Sequence, residues 1–144
     1  MEDPMGFREL SAWVMAILIA LLGLFYINAI FASARALEAA PPPNVPLIAV
    51  TTVFLIIGAI VGHLVAVAIA PQDADAPEDE RDKLIIWRAG NVSGWVLGSG
   101  VFVGLWHFIF QSDGNVLFHI LVISLILAQL SEYVLKIVYY RRGV

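Results

Sequence analysis

The stretch "PEDERDKLIIWRAGNVSGWVLGSGVFVGLWHFIF", residues 77–110, decides how this chain is read. Its first seven residues hold six of the chain's twenty formal charges. From Ile85 onward it is almost wholly apolar, interrupted only by Arg88, Asn91, two serines, a set of glycines and His107. A charged stub followed by some 25 apolar residues has the length of a helix that crosses about 30 Å of hydrocarbon at about 1.5 Å per residue. Pro77 suits the first turn of such a helix. Glu78, Asp79, Glu80 and Asp82 would lie at its positive end. Asp79 with Lys83 and Glu78 with Arg81 have the spacing of helical ion pairs. The spacing therefore predicts a helix from Pro77 to Phe110 that starts in water and enters the membrane near Ile85.

Three further apolar runs match it. They are Leu10–Ala32, Pro46–Ala70 and Val116–Val138. The whole chain has 144 residues, 60% hydrophobic and 14% charged, with mean hydropathy +0.87. Soluble domains are about 45–50% apolar and about 25% charged. Backbone groups in lipid must pair within their own segment, so the four runs are read as helices. The expected fold is all-α: one four-helix transmembrane bundle built from two helical hairpins, with helices over about 10–32, 46–70, 77–110 and 116–138. The triple proline 41–43 separates the first two helices, and the Asp-Gly turn in "QSDGN" folds the last two against each other. "ASA" at 32–34 has the form of a signal-peptide cleavage site. The apolar run before it is too long and its leader too acidic, so a retained helix is expected.

Lysine and arginine set the orientation. With both termini and the 71–84 loop on the cytoplasmic side, Arg8, Arg81, Lys83, Arg88, Lys136, Arg141 and Arg142 lie inside and only Arg35 outside. The expected location is the inner membrane, multi-pass. There is no cysteine, so thiolate sites, disulfides and cysteine nucleophiles are excluded. The net charge of −4 gives nucleic acid no electrostatic footing.

Glycines recur every four residues at Gly90, Gly94 and Gly98, at Gly58 and Gly62, and at Gly100 and Gly104. Such tracks let helix backbones approach closely. They point to packing of helices two and three, within one chain or between copies.

"DERDKLIIWRA", residues 79–89, resembles a motif of a family of small prokaryotic four-helix membrane proteins of unknown function. The matching positions are Asp79, Glu80, Arg81, Asp82, Ile85, Arg88 and Ala89. The resemblance implies an integral membrane protein and carries no activity, cofactor or catalytic residue with it.

Ionisable and amide groups inside membrane segments are costly and mark candidate sites. Counted from the helix ends, His63, Asn91, Gln129 and Glu132 fall at similar depths in the cytoplasmic third, with Gly94 leaving room between them. The structural alternatives are a Glu132–Lys136 pair in the favourable order, amide hydrogen bonds between helices and a neutral histidine bonded to a carbonyl. Arg88 is expected to snorkel to the boundary or to pair with an acid of the stub. Nearer the outer face, His107 and His119 flank the turn, with Asp113 between them. Two imidazoles can ligate a metal or haem iron, but two ligands leave a site incomplete. Trp106, Phe108 and Phe110 fit an outer aromatic belt, Tyr139 and Tyr140 an inner one. Asn28 is read as glue between helices.

No HExxH, GxSxG or phosphate loop occurs. The sequence reading is a non-enzymatic scaffold or regulatory interaction subunit with no cofactor and no metal. Its expected partners are the lipid bilayer and a second copy or another membrane protein. The alternative is a small proton- or cation-coupled transporter using the His/Glu site.

Overall fold

In a computed structural model, which describes residues 6–71, 77 and 79–143, the chain is all-helical, with four long helices forming a bundle. These are α1 (Phe7–Leu37), α2 (Val45–Ile69), α3 (Glu80–Gln111) and α4 (Gly114–Arg142). All four are long and apolar enough to cross a membrane. Residues 72–76 and Glu78, with its expected ion pair to Arg81, lie outside the described residues.

Local chemistry sets the helix ends. α1 runs five residues past Ala32, because nothing in Ser33–Leu37 opposes a helix; it stops at Glu38, in a left-handed conformation (φ 53°), before the prolines. Asn44 caps α2 by accepting from the Leu47 amide at 2.9 Å, with Pro46 in the first turn. α3 begins at Glu80 rather than at Pro77. Asp79 accepts from the Asp82 amide (2.7 Å), and the Asp82 carboxylate accepts from the Asp79 amide (3.2 Å). This reciprocal capping box satisfies two orphan donors and fixes the start. From there α3 continues unbroken to Gln111. Asp113 caps α4, accepting from Asn115 and Val116 amides at 2.9 and 3.0 Å.

The helices neighbour one another in the order α2–α1–α4–α3, and the backbones of α2 and α3 do not meet. The expected packing of helices two and three is therefore replaced. Gly58 and Gly62 lie against Leu18 and Val14 of α1: a Cβ on Gly58 would come within 2.7 Å of Leu18, and one on Gly62 would overlap Val14. α3 turns a different stripe to α4, with Ile85, Ala89, Ser93 and Gly104 buried along it. Gly100 presses on Ser124, and Gly104 on Leu117 and Ile120. Gly90 and Gly94 each follow a buried residue by one position, a rotation of about 100° on a 3.6-residue turn. A Cβ at Gly90, Gly94 or Gly98 would meet nothing within 4 Å.

α1 and α4 form the central pair. Ala12, Ala16 and Ile137 make a buried cluster at one end, with Trp13, Leu130 and Tyr133 around it. Gly23 admits Ile126. Near the loop end, the Tyr26 hydroxyl reaches His119 Nδ1 at 2.8 Å.

Candidate functional site

At the end of the bundle that carries both termini, the charged stub is a clasp. Asp82 of α3 forms an ion pair with Arg8 of α1 and accepts from the Tyr140 hydroxyl of α4 at 3.2 Å. Arg81 donates to the Tyr140 carbonyl at 3.0 Å, which offsets an orphan acceptor in the last turn of α4. Arg141 donates to Glu9 at 2.8 Å and lies over the Trp13 ring. Lys83 pairs with Glu80 (2.8 Å) instead of Asp79. Ile85 and Ala89 are fully buried, both at 0% exposure. Of the 79–89 motif, Arg88 is an exposed charge that forms no hydrogen bond or ion pair with a described residue. Its placement is that of a side chain reaching outward along α3.

Above the clasp, α2 and α4 both pack on α1 while their own backbones stay apart. They leave a groove along α1 made of cavities in series. The one nearer the loops, about 320 Å³, is lined by apolar side chains with Thr51, Thr52, Tyr26 and Gln129. It shares Met15 with a second cavity of about 430 Å³ that holds His63, Ser11 and Tyr133. Ser11 and Tyr133 also line a third, about 220 Å³, which continues past α2 and is bounded by α1, α4 and Ile86 of α3, with Arg8, Lys136 and Tyr140 in its wall.

This groove places the expected polar set as follows. His63 lies edge-on to Phe7, ring centroids 5.2 Å apart, and forms no hydrogen bond to a described residue. Glu132 is held by Lys136 at 2.6 Å, the pair 21% and 16% exposed, and the Lys136 ammonium sits 4.8 Å from the Tyr133 ring centre. Tyr133 is therefore the residue between His63 and the Glu132–Lys136 pair. Gln129 lines the groove one cavity further up. Asn91 does not join them: it is exposed on α3, beside the open Gly90 and Gly94, on a helix that α2 does not touch. Gly94 consequently makes no room for the others.

The pair of outer imidazoles does not form a metal site. His119 is 6% exposed and uses both ring nitrogens, Nε2 on the Pro41 carbonyl at 2.9 Å and Nδ1 on Tyr26. A carbonyl only accepts, so Nε2 carries the proton and Nδ1 accepts from the phenol. Asp113, the expected third ligand, is occupied as the α4 cap. No group of three metal-ligating side chains exists among the described residues. His107 is half-buried on α3, with a buried, unpartnered Nδ1. Asn28 bonds the Leu24 carbonyl of its own helix at 2.8 Å and so does not bridge helices.

Sequence reasoning missed Ser11, Tyr26 and Tyr133 as members of the groove. The signal for Tyr26 was present: a phenol in the middle of an apolar run needs a partner for its hydroxyl. No known family, curated protein or solved structure matches this chain.

Proposed function

We propose that this protein is a non-enzymatic scaffold or interaction subunit of the inner membrane that binds another membrane helix through the outer face of α3. One observation carries the reading. Three glycines at four-residue spacing lie open, with nothing within 4 Å of an added Cβ, and the exposed Asn91 amide beside them has no hydrogen bond to a described residue. In hydrocarbon an unsatisfied amide is unfavourable, and an open small-residue track is a surface that a second helix fits closely. A cross-helix bond from such an amide contributes about 0.6 kcal/mol, up to about 1.7. The partner is a second copy or a different membrane protein.

Both termini face the cytoplasm in this proposal. The end with the termini carries Arg8, Arg81, Lys83, Arg88, Lys136, Arg141 and Arg142, and the opposite end only Arg35, which is the inside bias for cations. Reporter fusions at the C-terminus and in the Ser112–Asp113 turn test it. The first should read cytoplasmic and the second periplasmic.

The binding reading is tested by affinity purification in mild detergent. Wild-type protein should retain a partner or a second copy by native mass, and Gly94→Ile should lose it. A wild type that runs as a bare monomer contradicts the reading. A second reading, a small proton- or cation-coupled transporter, draws on one observation: His63 opens into a groove beside Tyr133 and the Glu132–Lys136 pair with no hydrogen bond of its own.

A further inference from the structure

We propose that the groove along α1 is a binding site for an anionic phospholipid, with the phosphate at its polar end and an acyl chain along α1. This rests on the membrane reading above and not on the scaffold reading.

The polar end is a wall of donors. It presents Arg8, Ser11, His63, Tyr133, Lys136 and Tyr140. Each carries a donor group, although the Tyr140 hydroxyl already donates to Asp82, and Arg8 and Lys136 carry positive charge. Asp82 and Glu132, which pair with Arg8 and Lys136, are not among the residues that line these two cavities. The Ser11 and Tyr133 hydroxyls and the His63 ring have no hydrogen bond to any described residue, so their donors are unused within the chain. A group that only accepts and is negative complements such a wall, and a phosphodiester is that group.

The groove then changes character in the direction a lipid requires. Past Met15 the lining becomes Leu22, Leu55, Val122, Leu125 and Ile126. From Ser11 to Leu22 is about 16 Å at 1.5 Å per residue, close to half of the about 30 Å hydrocarbon core and so to one leaflet. The donor wall lies at the end of the bundle where the chain's cations gather, which is the level of a headgroup. Charge complementarity at one end and chain length along the other select a phospholipid over a free anion, which has no use for the apolar section.

The test is native mass spectrometry of the full-length chain in mild detergent. After delipidation it is titrated with phosphatidylglycerol and with phosphatidylcholine of the same acyl chains. The expected result is retention of phosphatidylglycerol about fivefold or more over phosphatidylcholine. Ser11→Ala with Tyr133→Phe, which removes two hydroxyl donors without changing charge, should bring the ratio towards one while circular dichroism stays unchanged. Ser99→Ala, the same chemical change on the exposed side of α3, should leave the preference intact. Equal retention of the two lipids by wild type overturns the proposal, and so does a preference that survives the double substitution. Binding of inorganic phosphate without retention of lipid overturns it as well. Equal but substantial retention of both lipids would sink the anion site and leave the membrane reading standing.

Discussion

The Tyr26 hydroxyl of α1 donates to Nδ1 of His119 on α4 at 2.8 Å, while the Nε2–H of the same ring donates to the Pro41 carbonyl at 2.9 Å. One buried imidazole thus ties α1, the proline loop and α4 together near the loop end. Asn115 adds a 3.3 Å bond to the Ala40 carbonyl. Tyr26→Phe leaves Nδ1 without its donor and should destabilise the fold by about 1 kcal/mol. His119→Leu removes both bonds and strands a loop carbonyl, so it should cost more and should raise hydrogen exchange at the amides of residues 38–40 and 44, the prolines between them having none. Equal thermal stability of Tyr26→Phe and wild type in detergent would show that the bond contributes nothing.

Two glycine substitutions on α3 should behave oppositely. Alanine at Gly100 would overlap the Ser124 side chain, with the α4 backbone close behind it, so α3 and α4 must separate. Overpacking of this kind costs about 1–3 kcal/mol. Alanine at Gly94 meets nothing and improves helix propensity by up to about 1 kcal/mol. Thermal unfolding should therefore fall for Gly100→Ala and hold or rise for Gly94→Ala.

Asp82 joins three helices where Asp79 caps one. Asp79→Ala should cost about 1 kcal/mol, the usual loss of an N-cap. Asp82→Ala loses the return half of the capping box, the Arg8 ion pair and the Tyr140 bond together, so its cost should be larger, about 2 kcal/mol or more. Unfolding in mixed detergent micelles ranks the two, and the reverse order would contradict the clasp.

Ser112 ends α3 in the left-handed region, φ 52°, where glycine is free of Cβ strain. Ser112→Gly should stabilise by a few tenths of a kcal/mol to about 1, read as a higher midpoint of thermal unfolding.

Glu132→Gln separates the site readings. If the Glu132–Lys136 pair is only structural, the change costs little, since spaced pairs of this kind contribute about 0.5 kcal/mol or less. Under the lipid proposal, Lys136 loses its competing carboxylate, and retention of anionic lipid should rise. Under the transporter reading, any pH-linked flux should vanish with folding intact.

The four helices were legible because length and apolarity are summed over twenty or more residues, and no local exception reverses them. The stripe that α3 turns to α4 follows helical spacing in the sequence, at Ile85, Ala89, Ser93, Gly100 and Gly104. What misled was the neighbouring ladder Gly90–Gly94–Gly98, which has the same period. Periodicity says that a face exists and not which helix covers it. Depth counting placed His63, Asn91, Gln129 and Glu132 at similar levels, but depth carries no azimuth, and Asn91 lies on a helix that α2 never reaches. The start of α3 moved from Pro77 to Glu80 because the reciprocal Asp79–Asp82 bonds outweigh the preference of proline for a first turn. His119 was read by what it could ligate. Its two partners, a tyrosine 93 residues away and a loop carbonyl 78 away, leave no local trace.

The helix order α2–α1–α4–α3 has two ends, since α2 and α3 do not meet. Four helices in a closed ring can surround an aqueous lumen; four with an unclosed seam leave lipid free to enter wherever water might stand. With the backbones of α2 and α3 apart, a conduit for a hydrated ion through one copy would lack a wall on that side, whatever the polarity of His63 or Glu132. A neighbouring molecule would supply that wall, so transport and self-assembly in this protein would stand or fall together.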